Sequence, residues 1–331
     1  MSPKPQQHGE PLKTPPVPRP SASIMLLSPT NQLLLLHRVN TSTSFASAHV
    51  FPGGNCDAFH DGPIPPPDDP ARHVNGDVYK LAAIRETFEE SGILLARDGS
   101  GNLLPLPPAV IAAGRKAVHA NKVAFPAWVA EHGGVPDTEG LVPFTRWITP
   151  PSPQLAKRFT AQMYIYLLPP GVATATHDSD EHTAAEFADV PTWIRRSLAN
   201  DIILFSPQAY LIHMLAQFFT GEQDYQAQRE RLRCFLETVP TGPSDHPTAQ
   251  IPWADKVMSP SPMPGVQFAD GRVVIRNEDP GPELRNTGRG GDWDRVIVST
   301  LGPGGRDGGK MMWRTDVLAA AAAERTAEAK L

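Results

Sequence analysis

The run Arg85-Glu86-Thr87-Phe88-Glu89-Glu90-Ser91-Gly92-Ile93 sets three carboxylates within five residues of a segment with helical periodicity. Helical neighbours lie three and four positions apart, so Glu86, Glu89 and Glu90 share one face, while Leu81, Ile84, Phe88 and Leu95 supply an apolar one. The apolar face needs a core to pack on, and the acidic face needs solvent or counter-charge. Like charges at this spacing oppose a bare helix by a few tenths of a kcal/mol per pair, roughly. A hard divalent cation reverses that sign, because it takes oxygen ligands and shares them with substrate phosphates. On these residues alone, a solvated acidic face and a cation site both remain open.

Around this segment the chain reads as alternating strands and helices. Ser23 to Ser28 and Gln32 to Arg38 are short Leu-rich runs joined by Pro29-Thr30-Asn31, the pattern of a hairpin. Ala48 to Phe51 is a strand leading into Pro52-Gly53-Gly54. The acidic helix is expected from Val78, capped by Asp77, to Ala96, with a turn at Asp98-Gly99-Ser100-Gly101 after it. Two helical pieces follow, Ala109 to Ala120 and Pro126 to Glu131, and then strands Phe144 to Thr149 and Gln162 to Leu168. Further on come an acidic loop from His177 to Ala185, a strand Phe187 to Val190, and helices from Trp193, from Pro207 and from Gln223. The prolines from Pro240 to Pro264 read as a linker or a wrap over the surface. Arg272 to Arg276 and Arg295 to Thr300 are strand-like, and an Ala-rich helix after Asp316 is expected to hold the tail away from the body.

Composition excludes several classes of function. With 331 residues and 40% hydrophobic side chains the chain can bury a sizeable core. A net charge of −5 argues against a nucleic-acid surface that works by bulk phosphate attraction. Cys56 and Cys234 stand apart, without the spacing of a zinc site or a disulfide framework, which suits a reducing compartment. No apolar run approaches the roughly 20 residues of a membrane span. Met1 to Pro20, polar and Pro-rich, reads as a disordered tail without a secretory core. The final Ala329-Lys330-Leu331 looks like the small-basic-Leu address read by the peroxisomal import receptor, so a peroxisomal location is expected.

The order Arg-Glu-Thr-x-Glu-Glu-x-Gly-Ile, with Phe51-Pro52-Gly53-Gly54 upstream, resembles the Nudix box. Two departures stand out. The family's first glutamate falls on His60, and Arg85 follows Gly54 by 31 positions, so the Pro-rich stretch from Asp61 to Pro70 reads as a surface insertion. Arg38, thirteen positions before Phe51, resembles part of the signature of coenzyme A diphosphatases, whose second Arg and Gly fall here on Thr43 and Ser47. Ala48 to Gly54, Lys116 to His119, Arg146 to Pro150 and Pro207-Gln208 look like landmarks of the peroxisomal branch with long inserts, and the resemblance covers roughly residues 22 to 220.

This resemblance implies an α+β fold, a Nudix-type α/β/α sandwich with a mixed sheet, a helical insert and a C-terminal extension. The implied divisions are a tail at 1–20, a Nudix domain at 21–239 with inserts at about 60–76 and 105–133, an extension with a hairpin at 240–315, and a helix and targeting tail at 316–331. It implies Mg²⁺ or Mn²⁺ held by Glu86, Glu89, Glu90 and the Gly53 carbonyl. Arg85 would orient a glutamate, Glu181 would complete the site with Glu186 behind it, and Arg38 would meet the 3′-phosphate of coenzyme A. Trp147 is assigned to the core, and His37 and His49 to strands. The implied reaction is hydrolysis of coenzyme A or acyl-CoA to 3′,5′-ADP and a 4′-phosphopantetheine compound. Cleavage of NADH or ADP-ribose, and a nucleotide-binding Nudix module without catalysis, are the alternatives.

Overall fold

A computed structural model describes residues 15–38, 47–152, 155–169, 182–302 and 305–328, without the side chains of 182–183 and 301–308. Glu181, Thr43 and the Ala329 to Leu331 tripeptide therefore lie outside the described residues.

The two Leu-rich runs form antiparallel strands, Arg19–Leu27 and Leu33–Arg38, joined at Leu27 and Leu33. Asn31 in the turn between them takes a left-handed φ of 59°, a conformation its short polar side chain tolerates. Ile24, Leu26, Leu34 and Leu36 enter one core, and Met25, Leu27, Leu33 and Leu35 enter another. Burial on both faces is why these runs are continuously apolar and do not alternate.

The main sheet runs in the order Val257–Met258, Val142–Ile148, Phe159–Leu167, Arg19–Leu27, Leu33–Arg38, His49–Val50. Gly53–Asn55 also pairs with Arg19–Leu27, and His182–Ala188 with Leu33–Arg38. Arg19–Leu27 is parallel to Phe159–Leu167 and antiparallel to its other neighbours, so the sheet is mixed, as expected. One face carries the acidic helix, Asp77–Ser91, and the insert helices Pro108–His119 and Phe125–Glu131. Phe88 of the acidic helix meets Phe125 and Trp128 of the insert, with ring centroids 5.6 and 4.8 Å away. The other face carries Val190–Leu198, Ser206–Leu215 and Tyr225–Glu237. The α/β/α layering of the α+β class is therefore present.

The structure corrects three expectations: the bounds of the acidic helix, the path of the Pro-rich stretch from Pro240, and the placing of the Ala-rich helix. The acidic helix begins at Asp77 after Gly76, and it stops at Ser91 because Gly92, at φ 73°, closes it with its N–H on Phe88 O. Ile93 to Leu95 continue the apolar pattern, but as the lead into strand Ala96–Asp98. Gly62 to Pro70 are exposed or half-buried, while the residues that flank them, His60, Asp61, Arg72 and His73, are buried. The Pro-rich stretch from Pro240 to Pro264 enters the interior: Trp253 is fully buried, and Val257–Met258 is an edge strand of the main sheet, parallel to Val142–Ile148. The Ala-rich helix, Arg314–Glu328, lies against the protein through Val317 and Ala321.

That helix covers a second, antiparallel sheet of Ser261–Pro262, Val273–Asn277, Asp292–Gly302 and Gly305–Trp313. Val274, Val296 and Val298 face the helix, while Ile275 and Ile297 join the core under the helices of the main sheet's second face. The expected strands at Arg272 to Arg276 and Arg295 to Thr300 are neighbours in this sheet.

Candidate active site

Arg85 is the centre of the site. It is 4% exposed, and its five donors all have partners: Nε and NH2 donate to the two Asp61 oxygens (3.0 and 2.9 Å), NH1 to Glu86 Oε1 (2.8 Å) and Glu89 Oε1 (3.0 Å), and NH2 also to Asn55 O (2.9 Å). Two of the three glutamates are thus bonded by one guanidinium group. Asp61, on the short helix Ala58–Asp61, was not anticipated. It adjoins His60, the position where the resemblance expects a glutamate, and both of its oxygens accept from Arg85.

His60 has a different task. Phe125 N–H donates to its Nδ1 (3.1 Å), so the ring carries its proton on Nε2 and gives it to Asn121 Oδ1 (2.6 Å). It ties the short helix to the helical insert.

The three glutamates are not a solvated face. Glu86 and Glu89 side chains are 17% and 10% exposed, and Glu90 is buried. Glu90 Oε2 accepts from Gly53 N–H (2.8 Å), so the loop meets the helix through the Gly53 amide. A Cβ on Gly54 would sit 2.4 Å from the Glu86 carboxyl carbon, so the backbone approaches the carboxylate as closely as it does only because no side chain intervenes. Burial, opposed by Arg85 and reinforced by Glu89, raises the Glu86 carboxyl to about 7.

From the insert, Arg115 donates twice to Glu89 O (3.0 and 2.7 Å), and His119 Nδ1–H donates to Glu89 Oε2 (3.0 Å). Glu89 O is among the last four helical carbonyls, so a guanidinium there also meets the negative end of the helix dipole. These two residues were missed as site residues, although the Lys116 to His119 run had been singled out and Arg115 and His119 stand one helical turn apart.

A hard divalent ion fits this donor set by chemistry: three carboxylates and a glycine-lined approach, all oxygen, with one carboxyl under-compensated in charge. Among the described residues no three His, Cys, Asp or Glu side chains are already grouped so as to hold one metal ion: Glu86 and Glu89 turn to Arg85, and Glu90 turns to Gly53.

The outlying candidates separate. Glu186 pairs across the strands with Leu35, on the face opposite the acidic helix, and binds Arg196 (2.9 Å), so it does not join the glutamates. Arg38 ends its strand half-buried, two residues beyond Leu36, where the pairing with His182–Ala188 shifts register. Ser47, where the coenzyme A signature has Gly, adopts a left-handed φ of 59°, the conformation a glycine would take most readily. Trp147 is core, against Tyr210, and His37 and His49 stack at 4.6 Å on their strands.

Residues 68–215 match the family model of the NUDT19 Nudix domain. The chain is 30% identical over 232 residues to an acyl-coenzyme A diphosphatase NUDT19 of Gallus gallus, and 27% over 232 residues to the Homo sapiens protein of that name. Each match covers 56% of this chain and 61% of the relative, so the chain spans about three fifths of the length of these relatives. A Nudix hydrolase structure from Alicyclobacillus acidocaldarius is 21% identical, with a TM-score of 0.47 over 59% of this chain and 89% of that one. Among the described residues no helix is long and apolar enough to cross a membrane. Residues 68–215, a span that includes Arg85, Glu86, Glu89 and Glu90, are thus similar to the NUDT19 Nudix domain.

Proposed function

We propose that this protein hydrolyses the diphosphate of coenzyme A or its acyl esters, with Mg²⁺ or Mn²⁺, to 3′,5′-ADP and the corresponding 4′-phosphopantetheine. The observation that carries this reading is the Arg85 hub, which gathers Glu86, Glu89 and Asp61 in a chain similar to acyl-coenzyme A diphosphatases. Glu86, Glu89 and Glu90 would hold the divalent ion, with the Gly53 carbonyl as a further oxygen donor. Bound there, the ion supplies charge neutralisation for the diphosphate and an activated water.

The chain's own residues do the rest. Arg85 fixes the planes of two glutamates at once, so little reorganisation remains when substrate arrives. Glu90 anchors the Gly53 amide and so sets the distance between loop and helix. The Glu86 carboxyl, poised near neutrality in the protein alone, can take up or release a proton at its oxygens near pH 7. Arg38, at the end of its strand, would meet the 3′-phosphate. Glu181 remains a candidate to complete the site. Ala329, Lys330 and Leu331 would direct the protein to peroxisomes through the import receptor.

The deciding experiment compares coenzyme A, dephospho-coenzyme A, NADH and ADP-ribose as substrates with Mg²⁺ and with Mn²⁺. Turnover of coenzyme A well above the others is expected. Equal turnover of NADH or ADP-ribose would replace the substrate assignment, and no turnover of any would favour a binding module.

A further inference from the structure

The acidic helix is gripped from outside by the insert. Arg115 and His119 lie one turn apart on helix Pro108–His119, and both reach Glu89: Arg115 takes its main-chain carbonyl with two donors, and His119 takes the carboxylate oxygen that Arg85 leaves. Two residues further along, Asn121 accepts from His60, and Phe125 N–H donates to the same ring. His60 adjoins Asp61, which holds Arg85 from the other side. The insert thus touches both elements that bracket Arg85, the acidic helix and the short helix before it.

From this arrangement the geometry points to His119 as a positioning residue for the cation: it fixes the second oxygen of Glu89 and thereby sets how tightly the divalent ion is held. The inference rests on the metal-site reading above. A carboxylate has about four lone-pair sites on its two oxygens, and Arg85 and His119 occupy one each, so the plane is fixed while lone pairs remain for a metal. Without His119 the Glu89 carboxylate keeps a single side-chain partner among the bonds described and gains rotational freedom about its last torsion. Partners that orient a metal ligand from behind are worth about ten- to a hundredfold in metal affinity. His119 is 56% exposed, which favours the lower end of that range. The described bonds of Arg115 go to the Glu89 main-chain carbonyl, so its part is to seat the helix end beneath His119.

Metal-free wild type, His119→Ala, His119→Gln and Glu89→Gln can be titrated with Mn²⁺, following the loss of the free-ion signal by electron paramagnetic resonance. His119→Ala is expected to bind Mn²⁺ about tenfold more weakly, at the lower end of the range for such partners. His119→Gln, which keeps a donor, should recover most of the loss, and both metal-free variants should melt like wild type. Unchanged Mn²⁺ affinity in His119→Ala would overturn the role, as would a melting shift in the metal-free variant without a change in affinity. Wild type that binds no Mn²⁺ would overturn it together with the metal site. A protein that shows the His119 effect but leaves coenzyme A intact would sink the substrate reading and keep this one.

Discussion

Asp61 and Arg85, 24 residues apart in the chain, form a two-bond ion pair of 3.0 and 2.9 Å in which the aspartate side chain has no solvent exposure. A pair in this setting is far more expensive to break than to keep, because removing one partner leaves the other charged and buried.

Asp61→Asn is therefore expected to destabilise the protein by about 3 kcal/mol, seen as a lower midpoint in chemical denaturation. Placing a glutamate at His60 in the same variant should not restore it, since His60 faces Asn121 and Phe125. Recovery by that second change would mean that the two positions are interchangeable.

The glutamates should behave differently from one another. Glu89→Gln and Glu90→Gln keep an acceptor oxygen and are expected to melt near wild type while losing about a hundredfold or more in kcat/KM. Glu90→Ala removes the acceptor of the Gly53 amide and should also lower stability, by about 1–2 kcal/mol. Normal turnover in both Gln variants would remove these residues from the site.

Much of this site was legible in the sequence, and the illegible part has a common cause. The glutamate spacing and Arg85 are local features, and local periodicity carries them. Asp61 reaches Arg85 across a Pro-rich stretch, and His119 reaches Glu89 from another helix; contacts of that kind leave no periodic trace. The helix end was overrun because Ile93 to Leu95 extend the apolar pattern past Gly92, whose left-handed conformation is what stops the helix. Trp253 and Met258 were hidden because prolines around them suggested a linker, although a short edge strand at a sheet's border tolerates nearby proline.

Arg38→Ala should weaken kcat/KM for coenzyme A by about ten- to a hundredfold and leave dephospho-coenzyme A nearly unchanged. Kinetics of both enzymes on both substrates decide the matter. Equal losses would make Arg38 structural.

Lys256 carries a pH signature. It is 1% exposed, with Nζ donating to Thr248 O and Gly291 O, and burial lowers its pKa from 10.5 to about 8. Below pH 8 it is charged in both folded and unfolded chains. Between pH 8 and 10.5 the folded chain has released a proton that the unfolded chain still binds, so this residue's contribution to stability rises with pH across that window. Denaturation of wild type and Lys256→Met at pH 8, 9 and 10 should show wild type gaining about 2 kcal/mol relative to the variant. A constant difference would mean that Lys256 titrates normally.

The edge strand Val257–Met258 has a consequence for how the protein is made. Its partner, Val142–Ile148, is synthesised more than a hundred residues earlier, and the matched domain ends at residue 215. On the ribosome, the border of the main sheet has no neighbour until residue 258 emerges, and parallel pairing over such a span is slow and exposed to misassembly. Lower growth temperature and slower translation should therefore raise the yield of active protein, by giving the late strand time to find its partner.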